Sequence, residues 1–132
     1  MPLAILTGPE GGQTMRYMLL VYQDELSISD DYRQACYAES AELVRDIKER
    51  GQFLATAPLH PTASATSVRV REGKRIVTDG PFAETREQLG GYFLIDAPDL
   101  DAALAVAGQI PGARRGVVEV RPVIELGTPA QG

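Results

Sequence analysis

Met15-Arg16-Tyr17-Met18-Leu19-Leu20-Val21-Tyr22 is apolar at nearly every position, the composition of a strand inside a sheet rather than at its edge. The elements on its C-terminal side decide the fold. Asp24 and Glu25 mark a loop, and a helix is expected over about 30–50. Ser29 stands where it can accept from the first helical amides, and Asp30 and Asp31 sit where the helix dipole favours negative charge. Tyr32, Cys36, Ser40, Leu43, Val44 and Ile47 recur at helical spacing on one face. Lys48 and Arg50 suit the last turn, and Gly51 supplies the left-handed stop. Phe53-Leu54-Ala55-Thr56-Ala57 then reads as a strand, and Pro58 and Pro61 force an extended path around Leu59 and His60.

Further along, Ser67-Val68-Arg69-Val70-Arg71 alternates strictly, Glu72-Gly73 turns, and Lys74-Arg75-Ile76-Val77-Thr78 returns. The pair is a β-hairpin with one solvated face. Asp79-Gly80-Pro81-Phe82 breaks the second strand, and a polar segment 83–89 leads to Gly90-Gly91. Gly91-Tyr92-Phe93-Leu94-Ile95 is a second interior-type strand. A helix starts near Asp99, with Leu100, Ala103, Leu104, Ala107 and Ile110 as its apolar set, and stops at Pro111-Gly112. Val117 to Val123 supplies the last strand.

The order is β-α-β, a hairpin excursion, then β-α-β. It predicts an α+β fold of the ferredoxin-like, split βαβ kind with an inserted β-hairpin. With both helices on one face of the sheet the other face stays bare, and stacking two such sheets in a homodimer would bury it. Residues 1–14, rich in glycine and polar at their end, read as a flexible N-terminal extension; 15–126 form the domain, and 127–132 a disordered tail.

Composition narrows the functions. A chain of 132 residues with 44% hydrophobic and 23% charged side chains is one ordinary globular domain. The formal charge of −5 argues against a general nucleic-acid binder, which needs a basic surface. Arg69, Arg71, Lys74 and Arg75 form a local basic run, read as a solvated strand face, with an anionic-ligand or partner patch as the alternative. The single cysteine, Cys36, permits no internal disulfide and is expected as a small core residue. With one histidine, His60, a zinc site built on several His or Cys ligands is excluded. No cofactor is expected. The N-terminus lacks the basic start and long apolar stretch of a signal peptide, and no run of about 20 apolar residues could span a membrane. The expected location is the cytoplasm.

The densest polar constellation is Asp79, Glu84, Thr85, Arg86, Glu87 and Gln88, closed by Gly90-Gly91. Gly80 before Pro81 makes a stiff bend in which Asp79 either orders the turn or points into a cleft. The glycine pair would let a ligand approach the backbone. Thr78-Asp79-Gly80-Pro81-Phe82-Ala83-Glu84-Thr85-Arg86-Glu87-Gln88-Leu89-Gly90-Gly91-Tyr92 resembles the signature of the DGPF-domain proteins, a branch of the YCII-related superfamily. Ile95 to Ala103, Val118 to Pro122 and the opening Met15 to Tyr22 are similar to the same pattern, so the likeness spans about 15–124.

The resemblance implies a dimeric α/β barrel with clefts at the subunits. It also implies a regulatory or accessory role, since genes of this branch often lie beside those for extracytoplasmic-function sigma factors. Some short relatives resemble dehydrochlorinases or lyases that use a helix histidine with an aspartate. Here that histidine position falls near Ser40, so the dyad is not preserved.

Three functions stay open. The first is binding of an unidentified small molecule in a dimer cleft, with Asp79, Phe82, Glu84, Arg86, Gly90, Gly91 and Tyr92 as candidate contacts. The second is a lyase or isomerase with His60 as general base, Asp79 orienting it and Arg86 holding a substrate carboxylate. The third is a protein-interaction module acting with a sigma factor.

Overall fold

The computed structural model describes residues 14–126. The expected extension (apart from Thr14) and the tail 127–132 lie outside the described residues. Strand β1 (Met15–Gln23) is followed by α1 (Asp30–Glu49), β2 (Phe53–Pro58), β3 (Thr66–Arg71), β4 (Lys74–Asp79), β5 (Gln88–Ala97), α2 (Leu100–Ala107) and β6 (Val117–Pro122). Four strands form one antiparallel sheet in the order β2-β5-β1-β6, while β3 and β4 pair only with each other. β1 and β2 are thus parallel with β5 between them, and β5 and β6 are parallel with β1 between them. These are two interleaved split βαβ units, as the order of elements predicted.

Sequence-local chemistry places both helices. The Ser29 hydroxyl accepts from the Tyr32 amide at 3.1 Å, and Gly51 leaves α1 at φ 73°. The Asp99 carboxylate caps α2 by accepting from the Ala102 amide at 2.9 Å. Tyr17 and Leu19 of β1 and Phe93, Ile95 and Ala97 of β5 are buried against Leu43, Ile47, Ala103, Val106 and Ala107 of the helices. Residues one position along those strands face the other way. Met18, Leu20, Leu94 and Ala55 are only half-buried on a sheet face that nothing among the described residues covers.

Several expectations change. Of the apolar set expected for the second helix, Ala103, Ala107 and Ile110 are buried, but Leu100 and Leu104 are about half exposed and Val106 is enclosed in their place. The helix is only eight residues long, and the face that meets the sheet carries Ala103, Val106 and Ala107. The hairpin has two solvated faces rather than one, because it leaves the main sheet and every strand residue except Ser67 is exposed. Its turn is as expected, with Glu72 at φ 52° and Gly73 at φ 75° between the paired Arg71 and Lys74. Positive φ at both positions is the turn whose twist matches that of the strands.

β5 begins at Gln88, three residues before the expected start at Gly91, so Gly90 lies inside the strand rather than before it. Val21 pairs with Gly91 but Tyr22 pairs with Leu89. Gly90 is therefore the extra residue of a β-bulge, a place where glycine inside a strand is expected.

Candidate functional site

The bulge helps to shape a cavity of about 260 Å³ between α1 and the sheet. Its floor is Val21, Phe93, Gly90 and Gly91, its wall is Cys36, Tyr37, Ser40 and Val44 of α1, and Thr56, Pro58, Gln23, Ile110 and Gly112 complete it. The reason for the space is legible along the helix. Leu43 and Ile47 are buried, whereas Tyr32, Cys36, Ser40 and Val44 are only half-buried. Leu43 and Ile47 pack on the sheet, whereas the small side chains of Cys36 and Ser40 leave space beside it.

No Asp, Glu, Lys, Arg or His lines this cavity. Its polar groups are neutral. The Thr56 hydroxyl donates to the Tyr92 carbonyl at 2.7 Å. The Ser40 hydroxyl enters no hydrogen bond among the described residues, so both its donor and its acceptor capacity are open. Cys36 is on the cavity wall and half-exposed, not the enclosed core residue expected.

Gly91 has a packing reason of its own: a Cβ there would meet the Ala57 carbonyl oxygen at 3.0 Å and the Pro58 Cα at 3.2 Å. Gly90 is roomier, with the Val21 oxygen at 3.9 Å. Tyr92 borders the cavity, although strand alternation turns its side chain to the open sheet face.

Other predicted site residues lie elsewhere. Arg86 is on an open groove of about 720 Å³ with Tyr22, Asp24, Arg115 and Glu119. Its Nε is 3.3 Å from Asp24 Oδ2, while Asp24 Oδ1 accepts from the Leu26 amide. Arg86 therefore fastens the segment after the hairpin to the exit of β1, and an anionic ligand would compete with Asp24 for it. Arg115 in the same groove stacks 4.4 Å over the Tyr32 ring and donates to the Ser27 carbonyl. Tyr22 donates to Glu119 at 3.3 Å; burial, and then the neighbouring Glu119 charge, raise its pKa above the ordinary tyrosine value. It stays a donor at neutral pH.

His60, Asp79, Phe82 and Glu84 are exposed, and none of them lines the cavity or the groove. The Asp79 turn is held by others: the Gly80 amide donates to the Ala65 carbonyl at 2.7 Å, and the Ser67 hydroxyl donates to the Gly80 carbonyl at 2.8 Å. Among the described residues no hydrogen bond or ion pair reaches the Asp79 carboxylate or joins it to His60, and no three His, Cys, Asp or Glu side chains gather as a metal site. No helix there is long and apolar enough to cross a membrane.

Residues 15–127 match the profile of the YCII-related domain. The chain belongs to the YCII-related family. A protein of Rhizobium meliloti (strain 1021), described as uncharacterized, is 39% identical over 118 residues, which cover 83% of this chain and 92% of the relative. The YCII-related domain thus includes both helices, all six strands and the cavity between them.

Ser40, Val44, Thr56 and Gln23 were not legible as cavity residues from the sequence. The available signal was Ser40 itself, a small hydroxyl in the apolar stripe of α1.

Proposed function

We propose that this YCII-related protein binds a small, uncharged, largely apolar molecule in the cavity between α1 and the sheet. The observation that carries the reading is an apolar lining without any charged side chain, offering the free Ser40 hydroxyl as its polar contact. Burying a charged ligand there would go uncompensated, whereas apolar surface with one hydrogen-bonding end matches the lining. At about 260 Å³ the space suits a compact metabolite.

The protein works as a homodimer, two bare sheet faces stacked into a dimeric α/β barrel. Its role is regulatory or accessory, in the cytoplasm, and the likeness of Thr78 to Tyr92 to the DGPF signature supports membership of that branch of the family. Partnership with a sigma factor is the interaction-module alternative. A lyase or isomerase using His60 and Asp79 is the enzymatic one; it requires assembly to bring both side chains to a shared cleft.

The test is titration with a neutral apolar fluorophore such as N-phenyl-1-naphthylamine, then displacement by neutral and carboxylate-bearing fragments. One saturable site per chain is expected, lost in Ser40→Phe, with neutral fragments the better competitors. Binding that survives Ser40→Phe in a folded variant, or that favours carboxylates, overturns the reading.

A further inference from the structure

The last residue of β1 carries a polar group into the cavity. Gln23 lies two positions after Val21, and strand alternation turns both side chains to the helix side of the sheet, where both residues border the cavity. Two glycines between α2 and β6 make room there. A Cβ at Gly112 would come within 3.1 Å of Gln23 Nε2 and 2.6 Å of Val21 Cγ1. One at Gly116 would lie 3.1 Å from Gln23 Cγ and strike the Tyr22 carbonyl oxygen. The glutamine is thus packed along its stem and at its tip, and a polar group held in place beforehand costs less to order on binding.

The carboxamide itself enters no hydrogen bond among the described residues. Gln23 is half-buried, so two N–H donors and one carbonyl acceptor await partners that only an occupant of the cavity can supply.

A smaller space of about 50 Å³ adjoins the cavity. Gln23, Cys36, Tyr37 and Gly90 border both spaces, which places Gln23 between them. The charged groups on the smaller side are engaged. Glu25 accepts from the Thr62 amide at 3.0 Å and from its hydroxyl at 2.8 Å, and Arg33 donates to Asp30 at 2.9 Å. All four residues shared by the two spaces are neutral.

We infer that Gln23 is the specificity-determining residue of the cavity and that the ligand is a small primary amide or lactam. Its carbonyl accepts from Gln23 Nε2, its N–H donates to Gln23 Oε1, and its apolar body fills the space over Val21 and Phe93. This rests on the small-molecule reading above and names the ligand's polar end. Primary amides and lactams carry the donor and acceptor on one edge, so two parallel hydrogen bonds to a glutamine form together. A ketone answers only the donors of Gln23. A carboxylate would set its charge against Oε1 in a lining that holds no cation.

The test is displacement of N-phenyl-1-naphthylamine from the full-length chain by octanamide, by 2-nonanone, which has a methyl where the amide has its amino group, and by octanoate. The ratio of octanamide to 2-nonanone affinity is expected to fall about tenfold in Gln23→Met, which keeps the length of the side chain and removes its amide. In ¹⁵N spectra of the native chain, the Gln23 side-chain NH2 signals are expected to move as octanamide is added. That measurement decides the matter where the variant fails to fold or to take the probe.

An unchanged ratio in folded Gln23→Met, or NH2 signals that stay in place at saturating octanamide, overturns the role of Gln23 and leaves the cavity reading standing. Octanoate as the strongest competitor, or a native chain that takes neither the probe nor octanamide, overturns both.

Discussion

Asp96 sits on the open sheet face across from Arg16, whose Nε lies 3.6 Å from its carboxylate. Its pKa is nonetheless raised, because burial outweighs the attraction of Arg16 and the nearby Glu125 charge adds to the penalty. A raised carboxyl pKa means that the folded chain holds the proton more tightly than the unfolded one. This group therefore favours folding most below the ordinary carboxylate pKa, and that contribution is lost as pH rises through the raised value. Asp96→Asn should match the native chain in acid and equal or exceed it at neutral pH, by up to about 1 kcal/mol. Urea unfolding of both proteins at the two pH values checks this, and a destabilised variant at neutral pH would show that the Arg16 pair dominates. No residue spacing announces such a group, since the sign depends on how much water the fold leaves around it.

At the scale of elements, α1 was readable almost to its ends. Ser29, the paired aspartates, the apolar stripe and Gly51 all act within a turn of the chain, and the helix spans Asp30–Glu49 as those signals require. The Glu72-Gly73 turn was legible for the same reason. β5 was not: Gly90-Gly91 has the composition of a loop, and only pairing with β1 and β2 turns it into a bulge inside a strand. The two glycines should consequently respond differently to substitution. Gly91→Ala pushes a Cβ against the β2 backbone and should cost roughly 1–3 kcal/mol in thermal or urea unfolding. Gly90→Ala, with ordinary contact distances, should cost less than about 1 kcal/mol. Equal losses would mean that the bulge, rather than the closeness of β2, sets the requirement.

For the whole molecule, the alternation of buried and half-buried residues along β1 and β5 leaves one apolar sheet face without a cover among the described residues. Leu94→Lys places a charge at its centre. If the proposed homodimer forms through this face, the substitution should give a monomer in sedimentation velocity while leaving the circular dichroism spectrum intact, because that position is half-exposed in a single copy. An unchanged dimer would put the interface elsewhere.

The order of elements, the caps, the hairpin turn and the family signature were all written in the chain, because each depends on neighbours a few residues apart or on the linear pattern itself. Three outcomes were not: that Val106 rather than Leu100 and Leu104 completes the buried face of α2, that the hairpin leaves the sheet, and that Ser40 rather than Asp79 borders the cavity. Those depend on where elements distant in sequence come to rest. Asp79 and Ser40 show the difference. A stiff local bend can be recognised from Gly80-Pro81, but a cavity exists only in the gap between two elements that fail to fill the space they share.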